Sequence, residues 1–430
     1  MIKVAKFGGS SVANAEQFKK VKEIILADPQ RKYIVVSAIG KCEQYPEKMT
    51  DLLIQWYHQP DNDAIFQKIK HRFLEIKNEC QLSYDIETEL EKVKENLHHF
   101  MTYDELISRG EYFTAKLMAE YINYPFVDAK DVIQFQENSI DLIKTEENIH
   151  TIFKAYPACV MPGFYGVNHN HEIQLMKRGG SDISGAVLAS FLDAKLYENW
   201  TDVSGFYMAD PHLIHNPKKI QSITYPELKE LSHRGANVLH EEAIFPVREK
   251  NIPIRILNTN RPCDCGTLIE NRPLLDSYSS ICGIAGNTDY SILHIDQLEK
   301  ENSMDLLQNS VRILQKHHIS IENIPAEIND FSLVIRSKNK ESAIALAIDE
   351  IYDTCLVKRV KWIKDVALIS IVGHHFMHHS KILGNIFYGL GNQDIDVKII
   401  SKGNEDMSLL IGIDSKRLNQ AVETIYNTLK

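Results

Sequence analysis

The first forty residues contain the pattern that most restricts the fold of this chain. Residues 2–7 form a strand-like run, and the glycine turn Gly8-Gly9-Ser10-Ser11 follows directly. Apolar residues then recur at helical spacing from Phe18 to Ile25, which predicts an amphipathic helix, and the run Tyr33–Val36 predicts a second buried strand. A strand, a glycine turn, a helix and a strand in this order indicate the start of a parallel α/β sheet.

The α/β pattern continues through the first 272 of the 430 residues. Residues 51–121 have mostly helical periodicity, and residues 164–176 are predicted to form a hairpin. Ser181 and Asp182 can cap a helix that runs to Leu192. Further strands are predicted at 125–127, 158–161, 195–199, 254–257 and near 269, and further helices at 226–233 and 240–249.

After residue 280 the pattern changes, because one unit of about 75 residues occurs twice. Each unit consists of a strand, a helix, two strands and a closing helix, which predicts two ferredoxin-like domains. The first unit is predicted from elements at 290–295, 304–317, 319–322, 331–335 and 341–352, and the second from elements at 366–372, 380–391, 395–400, 407–413 and 416–429. We therefore expect three domains, at 1–272, 280–355 and 362–430.

Composition and charge exclude several classes of function. The formal net charge is −10, so the chain has no bulk positive field for nucleic acid or an anionic membrane. The longest apolar runs are about seven residues, far below the roughly 18 that a membrane span needs, and no signal-peptide pattern is visible. The seven cysteines are scattered, and Cys263 and Cys265 are the only close pair, which suits reduced thiols. We expect a cytoplasmic protein with no nucleic-acid or membrane partner.

Two glycine-containing segments are candidate anion sites. In the first, Gly8 and Gly9 allow backbone amides to approach an anion, and Lys6 is within reach of a phosphate. Taken alone, that segment is equally compatible with a plain strand–helix turn. The second segment, Lys177-Arg178-Gly179-Gly180-Ser181-Asp182, combines two cations, two glycines and a carboxylate at a predicted helix N-terminus, and it favours anion binding over a simple capped helix.

Two other segments contain candidate ligand-binding residues. The segment Thr201-Asp202-Val203-Ser204-Gly205-Phe206-Tyr207, with Asp210-Pro211 after it, follows a predicted strand at its carboxyl end, where open α/β sheets bind ligands. The same residue types also suit a turn-rich connection. The segment Ser108-Arg109-Gly110-Glu111 is predicted to open a helix, where Glu111 either favours the helix dipole or holds a substrate ammonium group.

Together these segments resemble the aspartate kinase family over nearly the whole chain. The residues that carry the resemblance are Lys6-Phe7-Gly8-Gly9-Ser10-Ser11-Val12-Ala13, Val36-Ser37-Ala38 with Gly40, Thr50-Asp51-Leu52-Leu53, Arg178-Gly179-Gly180-Ser181-Asp182, Thr201-Asp202-Val203, Tyr207, Ala209-Asp210-Pro211, Gly235-Ala236, Val238-Leu239-His240, Ile252-Pro253-Ile254 and Gly266-Thr267-Leu268. The resemblance implies an α/β fold, with an amino-acid kinase three-layer sandwich over residues 1–272 and two ferredoxin-like ACT domains after residue 280.

The reaction implied by this resemblance is transfer of a phosphoryl group from ATP to the side-chain carboxylate of L-aspartate, giving 4-phospho-L-aspartate, the first step towards lysine, threonine and methionine. The expected cofactors are ATP and Mg²⁺, with the metal held mainly by ATP oxygens and not by protein ligands. The acceptor carboxylate has a pKa of about 4, so it is already ionised and needs no general base. Catalysis then consists of positioning and charge neutralisation.

The resemblance also implies roles for single residues. It puts Lys6 on the transferring phosphate, Asp182 beside Lys6 as an orienting carboxylate, and Arg178 on the α-carboxylate of aspartate. The other residues expected at the aspartate are Glu111, which would hold the ammonium group, Ser37, Thr50 and Ser181. The residues expected at the nucleotide are Lys6, Phe7, Gly8, Gly9, Ser10, Thr201, Asp202, Tyr207, Asp210 and His212.

Two positions depart from the family pattern. The family often has Asp-Pro-Arg where this chain has Asp210-Pro211-His212, and it often has Gly-Ala-Lys where this chain has Gly235-Ala236-Asn237. Both family cations are expected near nucleotide phosphates. We therefore expect a lowered affinity for ATP, with Lys177 or Arg234 as replacement contacts, and not a loss of activity.

The paired ACT units imply an amino-acid effector, and lysine and threonine are both compatible with the sequence. The candidate effector segment contains Met304, Asp305, Leu306 and Leu307 and extends across to Asn323 and Ile324. Edge strands of such units also pair across a homodimer or a higher oligomer. We expect both roles, so that effector binding biases two dimer arrangements. The histidine run 374–379 is interpreted as a solvated loop with adventitious metal binding.

Two alternative functions are also compatible with the pattern. One is another small-acid kinase of the same fold, acting on glutamate, acetylglutamate or carbamate, which the tandem ACT units and the segment Thr50–Leu53 disfavour. The other is a catalytically weak homologue that acts as an amino-acid sensor. His212 and Asn237 support the sensor, but the charges that phosphoryl transfer needs most are all present. The length of 430 residues disfavours a bifunctional kinase–dehydrogenase.

Overall fold

The computed structural model describes residues 1–97, 100–177, 179–233, 241–271, 281–297, 303–325, 330–355, 357–373, 379–403 and 407–429. These residues form two compact units. The first unit consists of Met1–Phe206, Lys219–Leu228 and the described part of Asn237–Ser277. The second consists of Tyr207–Lys218 and the described parts of Lys229–Ala236 and Tyr278–Lys430.

The first unit is built on a mostly parallel sheet. Its strands are β1 (Lys3–Phe7), β2 (Arg31–Val36), β3 (Phe135–Gln136), β4 (Ser139–Ile140), β5 (Cys159–Pro162), β6 (Tyr165–Val167), β7 (Ile173–Leu175), β8 (Leu196–Thr201), β9 (Ser222–Thr224), β10 (Ile254–Asn258) and β11 (Thr267–Glu270). Within the described residues, seven of them form one sheet in the order β5-β2-β1-β8-β10-β11-β9. All neighbours are parallel except β10 and β11. The parallel sheet predicted from the N-terminal pattern is therefore confirmed.

The helices in the first 250 residues are α1 (Ala15–Ala27), α2 (Met49–His58), α3 (Asp63–Glu79), α4 (Ile86–Leu97), α5 (Tyr103–Ile122), α6 (Ala129–Val132), α7 (Leu142–Ile152), α8 (Gly180–Phe191), α9 (Tyr225–His233) and α10 (Glu241–Glu249). Helix α1 shows why these segments are helical: the side chain of Asn14 accepts a hydrogen bond from the Gln17 amide and caps it. Phe18, Val21 and Ile25 of its apolar face are fully buried in the core.

A buried carboxylate joins the central strands beneath the glycine turn. Glu198 on β8 accepts hydrogen bonds from Arg31 Nε of β2 at 2.7 Å and from Trp200 Nε1 at 2.9 Å. The Trp200 ring stacks on Phe7 of β1 with the ring centroids 5.9 Å apart. The Arg31–Glu198 contact joins the amino end of β2 to the middle of β8, and the Phe7–Trp200 contact joins β1 and β8 near their carboxyl ends. In parallel α/β sheets, ligands bind at that edge.

The second unit contains a separate sheet. Its strands are β12 (Gly283–Gln297), β13 (Ile321–Asn323), β14 (Asp330–Arg336), β15 (Val357–Val372), β16 (Ile399–Lys402) and β17 (Ser408–Asp414), and its helices are α11 (Ser303–Lys316), α12 (Glu341–Thr354), α13 (Ser380–Asn392) and α14 (Leu418–Thr428). Within the described residues the six strands are ordered β13-β14-β12-β15-β17-β16. The predicted strand-helix-strand-strand-helix order occurs twice.

Two strands of the second unit are longer than the sequence pattern predicts. Strand β12 begins at Gly283 and β15 begins at Val357, and each runs through both halves of the sheet. Residues 283–287 pair with 368–372, and residues 290–296 pair with 359–366 of the same strand. The extensions were missed because residues 283–289 contain two glycines and residues 357–365 contain four lysines or arginines, which obscures the alternation of a strand.

Candidate active site

A cavity of about 510 Å³ opens where the loops after β1, β2 and β8 meet in the first unit. Ten of the residues predicted for the site line it: Lys6, Gly8, Gly9, Ser10, Ser37, Thr50, Glu111, Asp182, Thr201 and Asp202. They come from six separate parts of the chain. The cavity also has lining residues for which the sequence had suggested no role, namely Ile39, Lys41, Lys48, Asn199 and Ile256.

The strongest electrostatic feature of the cavity is an ion pair between Lys6 and Asp182. Lys6 Nζ lies 2.6 Å from Asp182 Oδ1, and the side chains are 9% and 15% exposed. The amide group of Asn199 donates to the same carboxylate oxygen at 2.9 Å. Lys6 is on β1, Asp182 is in the first turn of α8 and Asn199 is on β8, so the pair depends on the packing of three elements. A buried ammonium group held in this way can neutralise a phosphate at a fixed position.

The glycine turn after β1 lies directly against the loop after β2. The Gly40 amide donates to the Gly9 carbonyl at 2.9 Å, and the Gly8 amide donates to the Trp200 carbonyl at 2.9 Å. A Cβ atom on Gly40 would lie 2.3 Å from the Gly9 carbonyl carbon. Only glycine permits this backbone contact. Because the Gly8 amide is used inside the protein, Gly8 lines the cavity without offering that amide to an anion.

Glu111 is the buried carboxylate of the cavity. It is 4% exposed and its Oε2 atom has no hydrogen-bond partner. Burial raises the pKa of Glu111 to about 8, and the nearby Ala38 amide only partly opposes that rise. The helix reaches the Ala38 loop closely at Gly110, where a Cβ atom would lie 2.9 Å from Ala38 Cβ. A buried carboxyl group with an unused oxygen is suited to receiving an ammonium group.

The predicted helix start at Ser108 is wrong. Helix α5 begins at Tyr103, where the Thr102 side chain accepts a hydrogen bond from the Glu105 amide. Glu111 is therefore in the middle of the helix, and the alternative that it merely favours the helix dipole is excluded. The error arose because the Ser-Arg-Gly sequence suggests a helix start, whereas Thr102 with Glu105 is the true capping pair.

Several other residues predicted for the site do not line the cavity. Phe7 and Ser181 are buried and do not line the cavity. Tyr207, Asp210 and His212 belong to the second unit, where the Asp210 carboxylate accepts a hydrogen bond from the His212 amide at 2.8 Å. The predicted residues that lie outside the described part of the chain are Arg178, Arg234, the segment 235–240 and the histidines of 374–378.

The candidate effector segment, residues 304–307 with Asn323 and Ile324, lies in the second unit. Met304 is 76% exposed, whereas Leu306 is buried in the apolar core with Leu293 and Ile313. Strand β13 and the facing part of α11 line an open cavity of about 970 Å³ that includes Asn323 and Ile324. Leu306 therefore stabilises the core, and the rest of the segment stays a prediction.

Sequence reasoning missed three polar residues of the cavity. Asn199 had a usable signal, because a polar residue inside the otherwise buried strand β8 calls for a partner. Lys41 and Lys48 had none, since both are exposed lysines in an irregular loop. In the described part of the chain, no three His, Cys, Asp or Glu side chains come together in a way that would hold a metal ion. None of the described helices combines the length and apolar character needed to cross a membrane.

Comparison with known proteins agrees with this architecture. Residues 1–258 match the amino acid kinase family, and residues 369–429 match an ACT domain. Aspartokinase 3 of Bacillus subtilis is 31% identical, with 99% of this chain and 98% of that protein covered. The crystal structure of Clostridium acetobutylicum aspartate kinase superposes with a TM-score of 0.94 at 38% identity, with both chains fully covered. Escherichia coli aspartokinase III, solved with aspartate and ADP, has a TM-score of 0.76 at 23% identity and shows the same fold.

The chain therefore belongs to the amino acid kinase family. The predicted fold class, an amino-acid kinase domain followed by ACT domains, is confirmed. Because the similarity to the Bacillus and Clostridium proteins extends over both chains from end to end, its place within that family is among the aspartokinases.

Proposed function

We propose that this chain transfers the γ-phosphoryl group of MgATP to the side-chain carboxylate of L-aspartate and produces 4-phospho-L-aspartate. The observation that carries the proposal is that one cavity contains both the buried Lys6–Asp182 ion pair and the buried carboxyl group of Glu111. The first suits the phosphate of the donor, and the second suits the ammonium group of an amino-acid acceptor. The end-to-end similarity to an aspartate kinase at 38% identity supports the same substrates.

The chemistry requires positioning more than proton transfer. An oxygen of the aspartate side-chain carboxylate attacks the γ-phosphorus, the bond to the β–γ bridging oxygen breaks, and ADP leaves with that electron pair. The nucleophile is ionised at neutral pH, so no base is needed. Lys6 neutralises charge on the phosphoryl oxygens, Asp182 holds its ammonium group in place, and Asn199 orients the Asp182 carboxylate.

The aspartate is proposed to lie against Glu111, with Ser37 and Thr50 as hydrogen-bond donors and Arg178 on its α-carboxylate. Ser37 and Thr50 line the cavity with Glu111, which supports this arrangement. On the nucleotide side, Gly9, Ser10, Thr201 and Asp202 line the same cavity. The family resemblance further implies that Ser181 contacts the aspartate. It also implies nucleotide contacts for Tyr207, Asp210 and His212, and both assignments remain part of the proposal.

Mg²⁺ is proposed to arrive with the nucleotide and to supply charge neutralisation on its phosphates. Asp182 Oδ1 is already bonded to Lys6 and Asn199, and Asp202 Oδ1 accepts the Thr201 hydroxyl at 3.1 Å. Such a donor set fits an ion carried mainly by phosphate oxygens and water.

The pH dependence of aspartate binding should depend on Glu111. Only the carboxylate form can pair with the substrate ammonium group, and the pKa of Glu111 in the free enzyme is about 8. Below that pH, aspartate binding must displace a proton. The KM for aspartate is therefore expected to rise about 25-fold from pH 8.5 down to pH 6.5. Initial rates across this range at saturating MgATP measure it.

The matched variant is Glu111→Gln, which preserves the size of the side chain but cannot ionise. Its KM for aspartate should be high at every pH and should no longer change between pH 8.5 and pH 6.5. A slope that is the same in Glu111→Gln and in the parent enzyme would assign the titration to another group and remove Glu111 from the ammonium site.

Restoring the two family cations should strengthen ATP binding. The double variant His212→Arg/Asn237→Lys is expected to lower the KM for ATP by about tenfold, because charge-assisted contacts to phosphate are stronger than neutral ones. Steady-state kinetics at saturating aspartate measure it. His150→Arg on the exposed face of α7 adds a cation away from the site and should have no effect. An unchanged KM for ATP in the double variant would contradict the expected affinity defect.

Regulation is proposed to act through the ACT domains, with lysine or threonine as effector and a homodimer or higher oligomer as the responding assembly. Structures of Escherichia coli aspartokinase III exist with lysine and aspartate in a T-state and with aspartate and ADP in an R-state. The exposed part of the segment 304–307 and the cavity beside β13 are the proposed region for effector binding. We also propose a cytoplasmic location.

The direct test is a hydroxamate assay for acyl phosphate with MgATP and L-aspartate, alone and with lysine or threonine. Hydroxamate formation that one of the two amino acids suppresses is the expected result, and it identifies the effector. Absence of hydroxamate with aspartate, glutamate and acetylglutamate, together with measurable binding of lysine or threonine, would instead establish an amino-acid sensor.

A further inference from the structure

Arg72 is a buried cation that the proposed reaction does not use. It lies on α3, its side chain is 3% exposed, and it does not line the cavity. Its hydrogen bonds go to backbone carbonyl groups: to Gly40 at 2.6 Å, to Glu47 at 2.8 Å and to Ala13 at 3.4 Å. The guanidinium group therefore binds three separate points of the main chain.

All three carbonyl groups belong to two of the loops that meet at the cavity, those after β1 and β2. Ala13 follows the 3-10 helix Gly9–Val12 of the glycine turn. Gly40 lines the cavity and donates its own amide to the Gly9 carbonyl. Glu47 directly precedes Lys48, which lines the cavity at the other end of the loop 40–48. One side chain thus holds both ends of this loop and the glycine turn against each other.

Other contacts bind the same loop to α3. The Tyr45 ring lies over the Arg72 guanidinium at 4.9 Å, and the Tyr45 hydroxyl donates to Glu75. The Glu47 carboxylate pairs with Lys68 at 3.1 Å. The Glu75 and Glu47 carboxylates are bonded to Tyr45 and Lys68. They still favour the Arg72 charge through space, while the hydrogen bonds of Arg72 go to backbone carbonyl groups.

This arrangement is poorly suited to stability alone. Removing a cation from water is unfavourable, and here desolvation lowers the pKa of Arg72. An apolar side chain of the same length would fill the space without that cost. What only arginine supplies is a rigid fork with five donors, which can bind carbonyl groups from different segments at once.

We propose that Arg72 is a positioning residue for phosphoryl transfer, which fixes the loop 40–48 and the glycine turn in their reactive arrangement. The inference rests on the proposed function. Two of its three carbonyl partners lie in the loop that leads to Thr50, on the aspartate side of the cavity. Its loss should therefore affect aspartate more than ATP.

The test compares Arg72→Met, Arg72→Lys and the control Lys68→Met. Arg72→Met keeps the length without the donors, and it should lower kcat at least 30-fold and raise the KM for aspartate at least fivefold, with the KM for ATP within twofold. Arg72→Lys, which keeps the charge but not the fork, should fall between Arg72→Met and the parent. Lys68→Met removes the exposed ion pair to the same loop and should behave as the parent enzyme. If Arg72→Met does not fold, Arg72→Lys replaces it in the test. The criterion is again a raised KM for aspartate with the KM for ATP within twofold of the parent value.

A second measurement does not need activity. Amide hydrogen exchange in the ligand-free protein should be at least tenfold faster in Arg72→Met over 40–48 and 9–13, with β1 and β2 unchanged. An inactive parent enzyme with this exchange pattern would refute the proposed function and leave the anchoring role standing. An active parent enzyme whose Arg72→Met variant keeps kcat and both KM values within twofold would overturn the positioning role.

Discussion

Replacing Lys6 by methionine is expected to lower kcat about 10³-fold with little change in the KM for aspartate. The variant removes the ammonium group that lies 2.6 Å from Asp182 Oδ1 and that we propose neutralises the transferring phosphate. Loss of one preorganised charge-stabilising donor typically lowers the rate 10²- to 10³-fold, and here the donor carries a full charge. Single-turnover hydroxamate formation at saturating MgATP separates this loss from slow product release.

The same variant leaves the largely buried Asp182 carboxylate without its cation, and such a loss typically destabilises a protein by up to about 3–5 kcal/mol. The double variant Lys6→Met/Asp182→Asn removes both charges and should recover most of that stability while remaining inactive. Chemical denaturation followed by circular dichroism gives the comparison. Activity that returned with stability in the double variant would show that Lys6 supports the fold and does not act on phosphate.

Gly40→Ala is expected to disrupt the active site because the added methyl group would clash with the glycine turn. The new methyl group would lie 2.3 Å from the Gly9 carbonyl carbon and 2.6 Å from the Ser10 amide nitrogen, and neither backbone atom can rotate away. The glycine turn and the loop after β2 must then separate. We expect kcat/KM for aspartate to fall at least about 10²-fold, because displacements near 1 Å have effects of that size.

Gly40→Ala should also lower the free energy of unfolding by about 1–3 kcal/mol, the usual range for overpacking. Gly384 in α13 is the matched control, since a Cβ atom there meets nothing within 4 Å. Gly384→Ala should leave activity unchanged and raise stability by up to about 1 kcal/mol through helix propensity. Normal activity in Gly40→Ala would mean that the contact between the two loops is not required for catalysis.

Local patterns were sufficient to predict most of the architecture. The strand, glycine turn and helix at the N-terminus, the helix after residue 180 and the repeated units after residue 280 all formed within a few residues of their expected positions. Hydrophobic periodicity and capping residues act over one or two turns, so they are visible in a short stretch of sequence. The long strands β12 and β15 were the exception, because a partner from the other half of the sheet stabilises their polar ends.

Some residues of the candidate site were predicted from the sequence and others were missed, for a related reason. Lys6, the glycine turn, Asp182, Thr201 and Asp202 were found because short segments of characteristic composition contain them, and Ser37 and Thr50 were found because the family resemblance extends to them. Asn199, Lys41 and Lys48 belong to no such motif, and they line the cavity only because the strands β1, β2 and β8 lie side by side.

Glu111 and Arg72 show which properties local sequence determines and which properties are determined only by folding. Each is one charged residue on a helix. The sequence left two roles open for Glu111 and suggested none for Arg72. Packing buried both, raised the pKa of one and lowered that of the other, and gave each the backbone of a cavity loop as its neighbour. Motif and periodicity therefore determined the elements, the family and the charged pair. Tertiary structure decided desolvation and long-range contacts, because these depend on segments that are distant in sequence and adjacent only after folding.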